Sequence, residues 1–192
     1  MLKQLGPAFR MMLVFTVLTG LVYPGVVTVL CQLLFPSKAN GSLLSVNGQV
    51  VGSLLIGQNF TKPEYFQPRP SAAGNGYDPT ASGGSNYGPT SQKLIARVKA
   101  SVDKFRKDNP DYTGPIPADL VTASASGLDP DLSPGSAMAQ AARVAQGRGT
   151  TLGNIQQLIS AHIQGRQLGF LGEPRVNLLE LNLALDREFP RP

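Results

Sequence analysis

Polarity along this chain falls into two regimes. Residues 11–35, MMLVFTVLTGLVYPGVVTVLCQLLF, carry no charged side chain, whereas beyond residue 37 apolar positions recur at strand or helix spacing. A bilayer core of about 30 Å needs roughly 20 helical residues, so the uncharged run predicts one spanning helix. A cleaved signal segment has an apolar core of about 7–15 residues and a small-x-small site. This run is longer and ends Leu33-Leu34-Phe35-Pro36, which predicts an anchor. Pro24 lacks a backbone donor and presses its ring toward the carbonyl of Gly20, so a mild kink is expected. Thr16, Thr19, Gly20, Gly25 and Thr28 offer small or hydroxyl-bearing surface for another helix. Gly20, Pro24 and Gly25 are therefore candidate contacts, beside the plainer reading of a tolerated kink.

After the anchor, residues 43–56 read as two strands around Asn47-Gly48, a favoured type I′ hairpin turn. Residues 57–91 hold six Gly and five Pro, which forbid regular structure over most of the segment. They also hold Phe60, Tyr65, Phe66, Tyr77 and Tyr87, five of the thirteen aromatics. Disordered linkers are poor in aromatics, and long loops in compact domains tend to be functional. An ordered, packed, functional loop is expected. Leu94, Ile95, Val98, Val102 and Phe105 form a helical stripe over 91–107, which Asn109-Pro110 ends. Ser133-Pro134 opens a helix to about Gln146, closed by Gly147 and Gly149. Thr151 caps another, with Leu152, Ile155, Leu158, Ile159 and Ile163 as its buried stripe. In 176–186 the leucines alternate like a strand, but Asn177 and Glu180 form a capping box, which favours helix.

Charge sets topology more than function. Lys3, Arg10 and the amino terminus precede the span, and Lys38 is the sole cation in 36–61. Positive charge favours the cytoplasmic side. Residues 1–10 are thus expected inside and 37–192 outside, as one α+β domain of about 155 residues, near the modal size. The net charge of +5 is spread along the chain. Its densest basic stretch, Lys93 to Lys107, reads as a solvated helix face, and an extracytoplasmic compartment excludes a nucleic-acid partner. Cys31 lies inside the span, so the outer domain has no disulfide.

Candidate chemistry is sparse. His162 has no metal-spaced or triad-spaced partners and reads as structural. Gly83 to Thr90 has the glycine spacing of a phosphate loop, but Pro89 stands where the lysine belongs. Ser101-Val102-Asp103-Lys104 fits S-x-x-K, the nucleophile motif of penicillin-binding proteins, without a K-T-G companion. Asn40-Gly41-Ser42 and Asn59-Phe60-Thr61 fit the glycosylation sequon. No catalytic, cofactor or metal site is expected from these residues. An anchored domain without a catalytic constellation describes an accessory or sensing subunit; an anchored Ser/Lys hydrolase or a solute sensor is the alternative.

Three strings then carry a resemblance: IGQNFTKPEYFQPRPSAAGNGYDPTASGGSNYGPTS at 56–91, LVTASASGLDPDLSP at 120–134 and VNLLELNLALD at 176–186. With the anchor and chain length, they resemble the C subunit of the Kdp-type potassium-transporting ATPase of bacteria, the KdpC family. The resemblance implies a subunit of an inner-membrane complex. Its partners are a channel-like A subunit that admits potassium, a P-type B subunit that hydrolyses ATP, and a small F subunit. It further implies a role in assembly and as a catalytic chaperone that raises the B subunit's affinity for ATP. No cofactor is then held by this chain; ATP acts through the complex. On the topology above, that effect is a coupling between distant sites of about 1–3 kcal/mol. The expected contacts with the A subunit are Gly20, Pro24 and Gly25 of the anchor and Phe60, Tyr65, Phe66, Arg69, Gly83, Gly84 and Asn86 of the loop; for each single aromatic the plainer reading, and the favoured one, is that it fills the core of its own domain.

Overall fold

The computed structural model describes residues 2–191 and divides between Val51 and Gly52 into two compact units. In the first, helix α1 (Leu5–Val17), a π turn (Leu18–Val22) and α2 (Tyr23–Leu34) make one continuous 30-residue helix, long and apolar enough to cross a bilayer and buried nowhere. It begins six residues before the uncharged run.

The π turn is where Pro24 is accommodated. Pro24 cannot donate to Gly20, and the Tyr23 amide donates five residues back, to the Leu18 carbonyl. Such a widened turn leaves room for the ring. The Thr16 and Thr19 hydroxyls bond to the carbonyls of Met12 and Phe15 at 2.8 and 2.6 Å. They are therefore satisfied within the helix. A short helix α3 (Pro36–Ala39) follows, and the Asn40 amide reaches back to Gln32 at 3.3 Å. Strands β1 (Leu43–Val46) and β2 (Gln49–Ser53) then form the expected hairpin. Asn47 and Gly48 both have positive φ, 52° and 78°, as a type I′ turn requires.

The second unit is built on helices. Helix α5 (Pro134–Arg148) packs on α6 (Leu152–Ala161), and α6 packs on α7 (Leu178–Glu188). Ala137, Ala141 and Val144 of α5 meet Ile155 and Ile159 of α6 and Leu181 and Leu185 of α7 in one core. The three N-caps are those the sequence predicts: side chains of Ser133, Thr151 and Asn177 accept from the amides of Ser136, Asn154 and Glu180. Helix, not strand, is adopted over 178–188. Among the described residues the β content of this unit is one ladder of two residue pairs, β3 (Asp131–Leu132) against β4 (Val176–Asn177), with isolated antiparallel bridges at Gln164–Arg175 and Gln167–Leu171. The fold is α+β with little β.

Three expectations change. Helix α5 runs through Gly147 to Arg148; the glycine at 147 serves the close approach of Glu64, whose Cα would lie 2.9 Å from a Cβ there. The αL turn comes at Gly149. Of the stripe expected on α6, only Ile155, Leu158 and Ile159 are buried; Leu152 stays exposed, and Ile163 lies beyond the end of the helix and is exposed too. Helix α4 (Gln92–Asp108) buries only Phe105, and Ile95 of its stripe faces outward.

Candidate functional site

The segment from Pro63 to Ser71 has no helix or strand, yet it packs into the second unit, with Phe66 fully buried and residues 64–71 otherwise half-buried. Its backbone must find partners there, and side chains of α5 and α7 supply them. Asn182 accepts from the Phe66 amide and donates to the Phe66 carbonyl, both at 3.0 Å. Gln140 does the same for Gln67, at 2.8 and 3.1 Å. Each buried carboxamide thus imitates the edge of a β-strand. Arg143 donates to the carbonyls of Pro63 and Tyr65 and to the Oε1 of Gln140. Burial lowers its pKa to about 10, against the opposing field of Asp108, so it stays charged at neutral pH.

Arg148 closes this clamp. Its side chain is fully buried and donates to the carbonyls of Glu64 (2.9 Å) and Phe189 (3.0 Å) and to Asp186 (2.7 Å). Its guanidinium also lies over the Tyr65 ring, 4.6 Å from the centroid. The Tyr65 hydroxyl donates to Asp186 at 2.8 Å. Its pKa is raised, first by burial and then by the bond to that carboxylate.

Farther along, the loop is tied to residues 126–129. Arg69 pairs with Asp129, Ser71 donates to the Gly127 carbonyl at 2.6 Å, and Gly83 donates to Ser126 at 2.9 Å. Tyr77 donates to the Arg69 carbonyl at 2.8 Å, and burial with the field of Asp129 raises its pKa. Gly127 is the steric keystone. Its φ is +68°, and a Cβ there would lie 2.6 Å from the Ala73 nitrogen.

Between this loop and α4 lies a cavity of about 400 Å³, lined among others by Phe60, Arg69, Tyr77, Ser101, Lys104 and Phe105. Its size suits a small ligand. The Lys104 ammonium, however, donates to Asp108 at 2.5 Å and to Gln67 at 3.3 Å. The ammonium is engaged with those two partners, so the Ser/Lys hydrolase reading gains nothing from this geometry. Among the described residues no group of three or more His, Cys, Asp or Glu could hold a metal. His162 sits at the C-cap of α6, its Nδ1 2.8 Å from the Leu158 carbonyl.

The expected contact residues therefore separate. Gly20, Pro24 and Gly25 lie on a fully exposed helix, with open space beyond both glycines. Phe66 is fully buried and cannot touch a partner. Tyr65 is held by Asp186 and Arg148, and Phe60 packs partly buried on the core, with ring centroids of the pair 5.5 Å apart. These three aromatics fill the interior of their own unit, because α5 and α7 present it with buried polar partners. Arg69 is held by Asp129. Gly83 has open space and no positive φ, so its turn does not require glycine; a Cβ at Gly84 would sit 3.0 Å from the Ala125 carbonyl oxygen. Asn86 is exposed, with φ of 50°. The clamp of Gln140, Arg143, Arg148 and Asn182 is absent from the sequence expectations. Its one signal is polar Asn182 inside the apolar stripe of α7.

Comparison with known proteins bears on what this architecture serves. The family model described as "KdpC: K+-transporting ATPase, c chain" matches residues 5–187. The chain belongs to the KdpC family. Curated relatives called "Potassium-transporting ATPase KdpC subunit" include one from Myxococcus xanthus, 60% identical over 95% of this chain and 87% of its own length. Another, from Koribacter versatilis, is 54% identical over 100% and 98%. A third, from Mycobacterium bovis, is 55% identical over 97% and 100%. A KdpC-family match from 5 to 187 takes in both the apolar helix and the clamped unit.

Proposed function

We propose that this chain is a non-catalytic accessory subunit of a high-affinity, ATP-driven potassium uptake complex, required for its assembly. The family match over residues 5–187 carries this reading. The helix Leu5–Leu34 anchors the chain in the bacterial inner membrane, amino terminus inside and the second unit outside. Its partners are the channel-like A subunit, the ATP-hydrolysing B subunit and the small F subunit, and the Gly20–Gly25 face is where a partner helix packs. The chain holds no cofactor of its own. Its effect on ATP affinity reaches the B subunit through packed spans, a coupling of about 1–3 kcal/mol.

A mild-detergent pull-down of the tagged full chain from potassium-starved cells tests the reading. Recovery of a P-type ATPase and a channel-like subunit is expected, with potassium-stimulated ATPase activity lost when this chain is deleted. Recovery of the chain alone would sink the proposal.

A further inference from the structure

The β1–β2 hairpin, whose last two residues belong to the second unit, leaves Leu43, Val46 and Val50 exposed. A two-stranded ribbon is marginal in water and needs a covered face. Here the sheet stops at two strands, and Leu43, Val46 and Val50 are 55%, 42% and 61% exposed. Alternation along β1 puts Leu43 and Val46 on opposite faces, so both faces of the ribbon present apolar side chains. Native edges and exposed ribbons are normally protected by charge, lysine above all. Residues 39–61, which contain the whole hairpin, have no Asp, Glu, Lys or Arg across 23 positions.

Position narrows what covers it. Eight residues, 35–42, separate Leu34 at the end of α2 from Leu43. At about 3.3–3.6 Å per residue the tether spans at most about 30 Å. Helix α3, the Ser42 amide bonded to the Ser37 carbonyl at 2.9 Å and the bond from Asn40 to Gln32 all shorten it. The hairpin therefore lies at the water boundary of whatever bilayer the helix crosses. A lipid surface would cover one face only, and lipid-binding segments carry Lys, Arg, Trp or Tyr. Residues 39–61 contain none of the four. A charge-depleted apolar patch is instead the composition of the centre of a protein–protein contact.

We infer that the β1–β2 hairpin is a docking element, gripped on both faces by an uncharged apolar groove at the membrane boundary of another, membrane-embedded subunit of the transporter. The inference rests on the subunit reading above and adds the surface and the chemistry of its partner.

The test uses the full chain in its complex. Leu43→Lys with Val50→Lys, and separately Val46→Lys, should each cut recovery of partner subunits about tenfold. Leu152→Lys, at an exposed leucine on α6, should leave recovery unchanged. Because a lost complex could reflect a misfolded chain, a photo-crosslinking benzoylphenylalanine at position 50 supplies a second readout in the otherwise intact complex. An adduct to a membrane-embedded subunit is expected. An adduct to lipid, to a second copy of this chain or to nothing overturns the inference, as does undiminished recovery of the lysine variants. If the unaltered chain itself retrieves no partner, the subunit reading fails and this one with it. Recovery without a hairpin adduct fails only the hairpin.

Discussion

The hairpin at 43–53 and the loop at 57–91 are nearly adjacent in sequence and opposite in character. The hairpin is regular, with a turn its sequence announces, and its apolar side chains face outward. The loop is irregular, rich in Gly and Pro, and its Phe60, Tyr65 and Phe66 pack into the core of the second unit, to which the loop belongs. Regularity and burial are thus separate properties. Backbone hydrogen bonds can be satisfied without a core, and a core can be threaded by backbone without secondary structure if side chains satisfy it. The hairpin shows the first arrangement and the loop the second.

The largest blow to that contrast is expected at Arg148. Replacing it by Met removes a fully buried cation and strands the carbonyls of Glu64 and Phe189, while Asp186 keeps partial solvent contact. A loss of about 3 kcal/mol in the unfolding free energy of the second unit is expected, read as a lower denaturant midpoint. Asn182→Leu follows closely. It orphans both backbone groups of Phe66, and a cost of about 2–3 kcal/mol should appear by thermal melting. If either variant melts like the parent, the loop is not held by its clamp. Glycines give a sharper pair. Gly127→Ala meets the Ala73 backbone at a positive φ and should cost about 2 kcal/mol, whereas Gly83→Ala, in open space, should stay within about 0.5 kcal/mol.

Acid should loosen the same unit through Asp119. Burial alone would raise its pKa. Bonds from the Ser136 hydroxyl at 2.5 Å and from the Ser133 amide and hydroxyl outweigh that, and the net shift is downward. A lowered folded pKa means the stabilisation is complete above the unfolded value of about 3.9 and is lost as pH falls through the lowered one. Asp131 has the opposite sign. Its burial outweighs Arg175 and raises its pKa, so protonation there partly offsets the loss. Denaturant midpoints should therefore fall below about pH 4, and Asp119→Asn should flatten that limb. A variant as acid-sensitive as the parent would assign the transition elsewhere.

Legibility followed the range of the interactions. The turn at Asn47-Gly48 and the caps at Ser133, Thr151 and Asn177 are local, each a side chain or φ constraint within three residues, and the sequence declares them. The clamp joins residues 116 apart at Phe66 and Asn182 and 73 apart at Gln67 and Gln140, and no local pattern encodes such pairings. Phe60, Tyr65 and Phe66 were therefore legible as ordered and packed, while the polar partners that hold their backbone were not. Stripes misled in the other direction. Ile95 and Leu152 keep helical spacing, but no element of their own unit lies over them, so periodicity specified a face without specifying its cover. Family likeness supplied what neither spacing nor propensity could.

A smaller destabilisation than those of the clamp bears on the hairpin alone. Asn47 holds φ of 52°, a conformation that costs a residue such as alanine roughly 1–2 kcal/mol. Asn47→Ala should weaken the turn by about 1 kcal/mol, because asparagine already bears part of that strain. Hydrogen exchange should then speed roughly fivefold over residues 43–53 of the isolated chain in detergent, while amides of α5 to α7 keep their protection. Within the transporter the same substitution should change little, since a groove that grips both faces would hold the ribbon whatever its turn. If exchange over 43–53 is as fast in the complex as in the isolated chain, nothing covers the hairpin, and the contrast with the loop is one of stability rather than of partner.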